Sequence, residues 1–586
     1  MSDIKQQIKT LDKENKAKLA EQIKQKLQQR KTSQATDYDV VILGGGFAGS
    51  TLARQLKLLD RDITIAVVEK NSFPYREIAH KVGESASELQ AHYLSEILEL
   101  RDHLIENQVE KGGARYFFTF GNNKDISQRM EVGTKAFPPV PGFQFDRGRL
   151  ENHLYNENSA VGIKYWENSK YQDLIVGSPN KVLLNRDDEQ HEITANWVVD
   201  ATGRGAVLKR KFDLKESSEH PASAAWLRVG FTVDIETWSD SPDWQQRVLK
   251  GLRKVGTCHL MGQGYWVWII VLPSNATSIG IVADPAIHPL SDYNSPERFL
   301  KWLQTHEPQC AEALREDIEQ DQIKDFLAIK HFAHGCKQLF SEDKWCITGE
   351  AGLFLDPFYS PGGDFIAISN SLICNLITQD LQGKPIASML RQYETSYLHL
   401  FRQYLKTYLD QYPVMGNQKV MLAKITWDWA IYWGINAFLF FHQNKGFDWN
   451  WLSACIEEMN SFKELNEATQ SLFQFWSKLE SAEWHDCMYS LFDLAFLYDM
   501  HTGLKADLPP QQAQQQLRKN IQTLAIISQE YAKHVNSMLE SQHPESNESN
   551  PANVLLDILQ KIDIPVTDDN RQIKMQLQQM LNLQSH

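Results

Sequence analysis

The stretch DYDVVILGGGFAGSTLARQL (residues 37–56) decides how the first third of the chain folds. Its VVIL run predicts a buried strand, and Gly44, Gly46 and Gly49 follow directly as G-x-G-x-x-G before a helical pattern. The first glycine permits a tight turn, the second lets a pyrophosphate approach the backbone, and the third lets helix and strand pack closely. The phosphate would then meet the free N–H groups of a helix N-terminus. We predict a nucleotide site here rather than a purely structural glycine turn.

A second predicted strand, ITIAVVEK (residues 63–70), carries an acid, Glu69, close to its end. Glu69 follows Gly49 by twenty residues, and a carboxylate at that point can accept hydrogen bonds from a ribose 2′-OH. A glycine turn alone would not account for it, but the motif does not separate FAD from NAD. The residues assigned to the cofactor from these two strands are Gly44, Gly46, Phe47, Ala48, Gly49, Glu69 and Lys70.

The bulk composition narrows the function classes. The chain has 586 residues, enough for two or three packed units, and a formal net charge of −14, which argues against nucleic-acid binding. The seven cysteines are scattered without C-x-x-C, so neither a disulfide framework nor a zinc site is expected, and a cytoplasmic location fits best.

Three regions follow from the patterning. Residues 1–36 predict a polar N-terminal helical extension without the apolar core of a signal peptide. Residues 37–385 carry the predicted strands, and residues 386–586 predict an almost entirely helical region in which 541–551 reads as a loop. The aromatic run at 427–441 is interrupted by Asp428 and Asn436 and is too short for a membrane span, so we predict a buried helix.

Two later segments resemble the second and third nucleotide signatures of FAD monooxygenase-like flavoproteins. They are VVDATGR (198–204) and ITGEAGLFLDPFYSPGGDF (347–365), and no second G-x-G-x-x-G is visible for NADPH. The resemblance implies an α/β, Rossmann-like FAD-binding fold with an interleaved β-sheet substrate subdomain and a long all-helical C-terminal region. The family usually has Gly-Asp where this chain has Gly349-Glu350, which keeps the carboxylate one methylene further out. The further cofactor residues that it implies are Arg147, Asp200, Gly349, Glu350, Asp356, Gly362 and Gly363.

Within these flavoproteins, the stretch GYWVWIIVL (264–272) resembles the W-x-W-x-I marker of flavin-dependent halogenases. Trp266 and Trp268 would face the same side of a strand. In that family, reduced FAD (FADH2), O₂ and chloride or bromide yield hypohalous acid, which travels through a tunnel to a separate substrate chamber. The resemblance implies that both indoles wall the cofactor off from the substrate. The alternative is that they simply pack the core, as aromatic residues often do.

The family also requires a lysine in its tunnel. The resemblance assigns this role to Lys111, in KGGARYF (111–117), which follows the pair Gly83-Glu84. Its ammonium would hydrogen-bond hypohalous acid, or its amine would carry the halogen as a chloramine. Desolvation can lower a lysine pKa and leave the amine reactive. The alternative is a solvated loop lysine.

The predicted halide site lies in the turn SPGGD (360–364). Backbone N–H groups of glycine turns form anion-binding concavities, and Pro361 has none to offer. We therefore assign halide binding to Ser360, Gly362 and Gly363. The charge of Asp364 would repel a halide if the carboxylate pointed inward.

The expected substrate class follows from one difference between this chain and the tryptophan halogenases. Tryptophan halogenases carry a glutamate in E-P-x-E-S-x-G, and Tyr359 stands at that position. We therefore expect an electron-rich phenolic ring, and secondarily a pyrrolic one, free or tethered to a carrier protein, with a separate flavin reductase as partner. The aromatic run at 427–441 could line the chamber. Two rivals stay open: a FAD-dependent aromatic hydroxylase that uses NAD(P)H directly, and a non-catalytic flavoprotein-like partner subunit.

Overall fold

The structure is a computed structural model that describes residues 36–78, 81–319, 322–443, 456–480, 488–542, 550–562 and 564–583. Residues 1–35 of the predicted N-terminal helix (1–36) and most of the predicted loop at 541–551 lie outside these residues. No helix in the described part of the chain is both long and apolar enough to cross a membrane.

The first sheet has seven strands and carries the nucleotide motif. Tyr38–Leu43 lies at its centre, parallel to Ile65–Val68 on one side and to Glu189–Asp200 on the other. The strand that leads into the third signature segment, Trp345–Ile347, pairs parallel with Glu189–Asp200. The remaining strands are Lys164–Trp166 at one edge and the antiparallel pair Ser169–Ile175 and Asn180–Arg186 at the other.

The second sheet has eight strands and carries the tryptophan motif. Tyr265–Val271 lies between two antiparallel neighbours, Thr257–Gly262 and Thr277–Ala283. Its other strands are Ala114–Phe118, Glu131–Gly133, Ser223–Val229, Ile323–Ile329 and, from the C-terminal region, Met488–Ser490. Small ladders join Ser85–Ala86, Val109–Glu110 and Phe143–Gln144, and pair Lys215–Ser217 with His334–Cys336.

The two faces of this second sheet belong to two different cores. Trp266, Trp268 and Ile270 pack into the large core that also holds the nucleotide-binding strands and the C-terminal helices. The alternate residues, represented by Val267 and Ile269, pack into a smaller core on the opposite face. The two-residue period of the strand therefore turns both indoles to the same side, as predicted. That side faces the first sheet and the helical region.

Helices surround both sheets and make up nearly all of the described residues after residue 386. Those of the first region are Phe47–Leu59, Glu88–His92, Arg101–Asn107, Arg147–Ala160, Val207–Lys211, Pro242–Gln246, Pro296–His306, Pro308–Glu319 and Pro361–Leu381. Those of the second are Ala387–Lys406, Gln418–Ile431, Ala437–Gln443, Ile456–Leu479, Ala495–Gly503, Pro510–Gln542, Pro551–Leu559 and Asp568–Leu583. A π-helical turn, Tyr432–Asn436, bridges two of them, so the aromatic run at 427–441 is helical throughout and mostly buried.

The predicted α/β class, with its Rossmann-like first sheet, second sheet and helical C-terminal region, is confirmed. The domain boundaries at 36/37 and 385/386 stay predictions. The region predicted to be almost entirely helical contributes one strand, Met488–Ser490, which pairs parallel with Glu131–Gly133 at the edge of the second sheet.

Candidate active site

The glycine turn has the shape that a pyrophosphate requires. Gly44 has φ +105°, and a Cβ there would lie 2.5 Å from the carbonyl oxygen of Ala201. A Cβ on Gly49 would lie 1.9 Å from the carbonyl oxygen of Gly44. At Gly46, by contrast, the nearest atom to an added Cβ is Nζ of Lys81, at 3.7 Å. Gly44 and Gly49 are thus required by close packing, and the open space beside Gly46 suits a ligand.

Glu69 is placed where the sequence predicts, but protein groups already bind its carboxylate. Oε2 accepts a hydrogen bond from the backbone N–H of Gly45 at 2.8 Å, and Oε1 accepts two from Asn71 at 3.0 Å each. The side chain therefore braces the turn in addition to any role toward a ribose. Lys70 is exposed at the end of the strand.

Arg147 opens the helix Arg147–Ala160 beside the same turn. Its guanidinium donates to the carbonyl of Val82 and to Oε1 of Glu151 at 2.8 Å, and lies 5.1 Å over the ring of Phe47. Among the described residues, its buried Nε has no hydrogen-bond partner. An unpaired buried guanidinium nitrogen is costly unless a ligand or water satisfies it, so these residues fit an anionic cofactor.

The second and third signatures meet the first at this turn. Gly349 has φ +62°, and a Cβ there would lie 3.1 Å from Cβ of Ala48. Glu350, the acid that departs from the family pattern, forms an ion pair with Arg204 at 2.6 Å and is partly exposed. That pairing leaves the carboxylate at the margin of the site, and its contact with a flavin stays a prediction.

Two other predicted cofactor acids are turned into the protein. Asp200 is fully buried and accepts from the backbone N–H groups of Thr202 and Leu208 at 3.0 and 2.8 Å. Burial raises the pKa of Asp200. Asp356 is also buried, and accepts from the Tyr412 hydroxyl at 2.6 Å and lies 2.7 Å from Nε2 of His220. Both acids organise turns, and a direct cofactor contact for either stays a prediction.

The tryptophan pair forms one side of a buried aromatic cluster. The ring centroids of Trp266 and Trp268 lie 5.7 Å apart. Trp266 also packs on His259 and Phe358, at 5.5 and 5.2 Å. Phe358 belongs to the third signature segment, so the indoles stand against the segment that carries the predicted halide turn.

Lys111 is buried, which excludes the solvated-loop alternative. Only 7% of the residue is exposed, and Nζ donates to the Ser85 hydroxyl at 2.9 Å. Burial lowers the pKa of Lys111 to about 8, against the opposing effect of the Glu88 and Asp364 charges. At neutral pH the amine is thus close to its titration point, where a lysine can hold or release a proton readily.

The predicted halide turn begins the helix Pro361–Leu381. Ser360 adopts the left-handed conformation, with φ +59°, and Gly362 has open space beside its Cα. Gly363 has none: a Cβ there would lie 1.9 Å from Oε1 of Gln90. Gly362 is therefore the better placed of the two glycines, and the halide assignment itself stays a prediction.

The Asp364 carboxylate, whose charge could repel a halide at this turn, is engaged by hydrogen bonds inside the protein. It is fully buried and accepts hydrogen bonds from the Ser87 hydroxyl at 2.9 Å and from the backbone N–H of Gln90 at 3.0 Å. Burial, more than any neighbouring charge, raises the pKa of Asp364 to about 7.

A cavity of about 400 Å³ opens next to the turn. It lies between the start of the helix Pro361–Leu381 and two C-terminal helices, Ala387–Lys406 and Gln418–Ile431. Its polar lining includes Asp364 and Asp428, and the hydroxyl of Tyr359 donates to Asp428 at 3.0 Å. Residues of the aromatic run also line it, namely Trp429, Ile431, Tyr432, Asn436, Leu439 and Phe440. The size and apolar lining suit a small aromatic molecule.

Sequence reasoning missed several residues of this site. Ser85 and Ser87 directly follow Gly83-Glu84, but nothing local marks them as partners of Lys111 and Asp364. Asp428 carried a signal, since it is a lone acid within an aromatic run, and it was read only as an interruption.

The fold, in which the three signature segments meet at one glycine turn, is that of a FAD-binding flavoprotein. In sequence and in fold the chain is similar to flavin-dependent halogenases. It is 26% identical over 440 residues to flavin-dependent halogenase chlA of Dictyostelium discoideum, an alignment that covers 68% of this chain and 70% of that protein. No family model matches the chain.

A second relative is 1H-pyrrole-2-carbonyl-(peptidyl-carrier protein) chlorinase of Pseudomonas fluorescens. It is 28% identical over 350 residues, covering 56% of this chain and 72% of the relative. Among solved structures, halogenase PltM superposes with a TM-score of 0.61 at 16% identity, over 84% of this chain and 96% of PltM. Another structure of PltM is a complex with phloroglucinol and FAD. At these identities the structural likeness concerns the fold.

Proposed function

We propose that the chain uses reduced FAD, O₂ and chloride or bromide to halogenate an electron-rich aromatic ring, phenolic first and pyrrolic second. The observation that carries the proposal is Lys111. It is buried, it is hydrogen-bonded to Ser85, and it is influenced electrostatically by Asp364, which lines an aromatic cavity. A buried lysine without a direct ion pair is costly, and such groups cluster at functional sites.

The cofactor fits the glycine turn. Gly46 would admit the pyrophosphate, Arg147 would supply its unpaired Nε, and Glu69 would face the ribose. When bound and reduced, FAD would supply two electrons to O₂ and so enable O₂ to oxidise halide to hypohalous acid, with oxidised FAD and water as the other products. A separate flavin reductase would provide the reduced cofactor, since only one dinucleotide motif occurs in the sequence.

Lys111 would hold hypohalous acid by a hydrogen bond from its ammonium and so fix the position of the electrophilic halogen. Trp266 and Trp268 would keep the arene away from the cofactor, which prevents oxygen transfer to the ring. Gly362 and Ser360 would bind the halide at the N-terminus of the helix, where N–H groups attract anions.

The cavity supports a small arene with a polar substituent. Its volume of about 400 Å³ is lined mainly by apolar and aromatic groups, with a few hydroxyl and carboxyl groups. Tyr359 replaces the glutamate of tryptophan halogenases, which favours a ring activated by its own OH or NH. One relative acts on a carrier-bound pyrrole, so a carrier-tethered substrate belongs to the proposal, as does a cytoplasmic location.

The proposal is tested by measuring the mass of the reaction product. Purified protein, a generic flavin reductase, NADH, FAD and bromide are incubated with phenol, phloroglucinol and pyrrole-2-carboxylate, the last both free and loaded on a carrier protein. A product with the bromine isotope doublet, formed only with the protein, supports the proposal. Addition of oxygen would instead assign an aromatic hydroxylase, and failure to bind FAD together with stable binding to another pathway protein would favour the non-catalytic partner subunit.

A further inference from the structure

Two carboxylates line the cavity, and they differ in their partners. Asp428 forms an ion pair with Nζ of Lys424 at 2.9 Å and accepts from Gln470 at 2.9 Å. The charge of the Asp428 carboxylate is thus already paired with an ammonium inside the protein. Asp364 instead accepts from a hydroxyl and a backbone N–H, which are neutral donors.

Asp364 is also connected to Lys111 through a short segment of the chain. Lys111 donates to Ser85, and Ser87, two residues later, donates to both oxygens of Asp364 at 2.9 and 3.0 Å. Residues at i and i+2 of an extended segment share a side. The lysine and the acid are thus coupled through one short segment, and the charge of Asp364 raises the pKa of Lys111.

We propose that Asp364 is the base that takes the proton lost by the aromatic ring during halogenation. This rests on the proposed function and names a group for which the family pattern offers no counterpart in this chain, since Tyr359 stands where tryptophan halogenases carry their glutamate. Asp364 can serve because it lines the cavity, has no ion-pair partner among the described residues, and is linked through Ser85 and Ser87 to Lys111, the residue that would hold the electrophile.

The step balances in atoms and electrons. The ring π electrons form the carbon–halogen bond while the oxygen–halogen bond of hypohalous acid breaks, and the departing hydroxide takes a proton from the Lys111 ammonium to give water. The ring carbon then loses its proton to the Asp364 carboxylate and regains aromaticity. Lys111 has lost one proton and Asp364 has gained one, so transfer between them restores both groups.

The surroundings of Asp364 agree with this role. Burial raises its pKa to about 7, and the nearby Glu88 charge acts in the same direction, while hydrogen bonds from Ser87, Tyr432 and the Gln90 N–H oppose the shift. A base with a pKa near neutrality combines a large ionised fraction with useful proton affinity. The ionisable groups that face it are Lys111, Glu88, Tyr404, Tyr408 and Tyr432.

The test compares Asp364→Asn with Asp380→Asn. Asp380 lies on the same helix, about 24 Å from Asp364 at about 1.5 Å per residue, and bonds to Trp197 and Lys344 at 2.9 Å each. Two rates are measured with bromide and phenol: bromination of the phenol, and bromination of a freely diffusing β-diketone that traps hypobromous acid. We expect Asp364→Asn to keep the trapping rate and to lower phenol bromination by about 10² or more, as general-base catalysis implies. Asp380→Asn should leave both rates unchanged.

Two readouts separate a base from a merely structural group. Ring-deuterated phenol should react more slowly than phenol in Asp364→Asn, because ring deprotonation has become rate-limiting, while the wild-type protein shows a ratio near one. Formate, which can enter the cavity, should restore phenol bromination to Asp364→Ala in a concentration-dependent way.

The outcomes distinguish the two proposals. If the wild-type protein brominates an arene and Asp364→Asn does so equally fast without an isotope effect, Asp364 is not the base and the proposed function stands. If Asp364→Asn loses trapping and bromination together and formate restores neither, its role is structural. If the wild-type protein brominates no arene of the panel, the proposed function fails, and the role of Asp364 with it.

Discussion

The indole Nε1 of Trp266 donates a hydrogen bond to the hydroxyl of Tyr412 at 3.1 Å, and that hydroxyl donates to Asp356 at 2.6 Å. All three groups are buried. The bond joins the tryptophan strand to the C-terminal region, and the acid belongs to the third signature segment. The orientation of Trp266 is therefore fixed by a polar partner as well as by packing.

Tyr412→Phe should destabilise the protein without changing its shape. It leaves a buried indole N–H without an acceptor and removes one donor from Asp356, so we expect the free energy of unfolding to fall by about 1–3 kcal/mol. Denaturant unfolding measures this. Tyr498→Phe is the control, since Tyr498 is 42% exposed, and it should change nothing measurable. Equal stability of both variants would mean that the Trp266 bond contributes little.

Gly46→Val and Gly49→Val should fail in different ways. The space beside Gly46 accommodates a larger side chain in the protein alone, so this variant should fold and lose flavin absorbance, because the pyrophosphate is blocked. Gly49→Val would force a side chain to within 1.9 Å of a backbone carbonyl and should lower thermal stability sharply. Retention of FAD by a folded Gly46→Val protein would contradict the placement of the pyrophosphate.

Lys111→Met should bind FAD normally and produce no halogenated arene. Methionine fills a similar volume without a charge, so the loss would reflect the missing ammonium rather than a cavity. FAD content and product mass are the measurements. Ser85→Ala, which removes the hydroxyl that accepts from Lys111, should lower the rate less. Normal halogenation by the methionine variant would remove Lys111 from the mechanism.

The rate of arene halogenation should peak between about pH 7 and about pH 8. Below the raised pKa of Asp364, about 7, the acid is protonated and cannot accept the ring proton. Above the lowered pKa of Lys111, about 8, the ammonium is lost. Because Asp364 and Lys111 interact, the two sides of the pH–rate profile give apparent pKa values that belong to the pair and not to either residue alone. The lower limb should disappear in Asp364→Asn. A rate that keeps rising above pH 8 would favour the amine and hence a chloramine.

The local parts of the site could be predicted from sequence. Gly44, Gly46 and Gly49 lie next to their strand and helix in the chain, so their geometry depends on a few neighbouring residues. The same holds for Trp266 and Trp268, whose shared face follows from the period of a strand. Lys111 was identified by resemblance, and its burial could not be read from its glycine-rich surroundings.

The distant parts could not be predicted. Ser87 and Asp364 are 277 residues apart, and the cavity exists only because C-terminal helices cover the start of the helix Pro361–Leu381. The strand Ser223–Val229 was missed for another reason. Every residue of this strand is buried, so its sequence lacks the alternation of polar and apolar residues that marks a half-exposed strand.

The strand Met488–Ser490 has a practical consequence for truncated forms of the protein. It covers the outer edge of Glu131–Gly133, and the helices around it cover the aromatic run. A chain that stopped near residue 385 would present an unpaired strand edge beside a large apolar surface, both of which promote aggregation. Such a fragment would precipitate or associate instead of yielding a more accessible enzyme, so the helical region is needed for solubility as well as for enclosing the cavity.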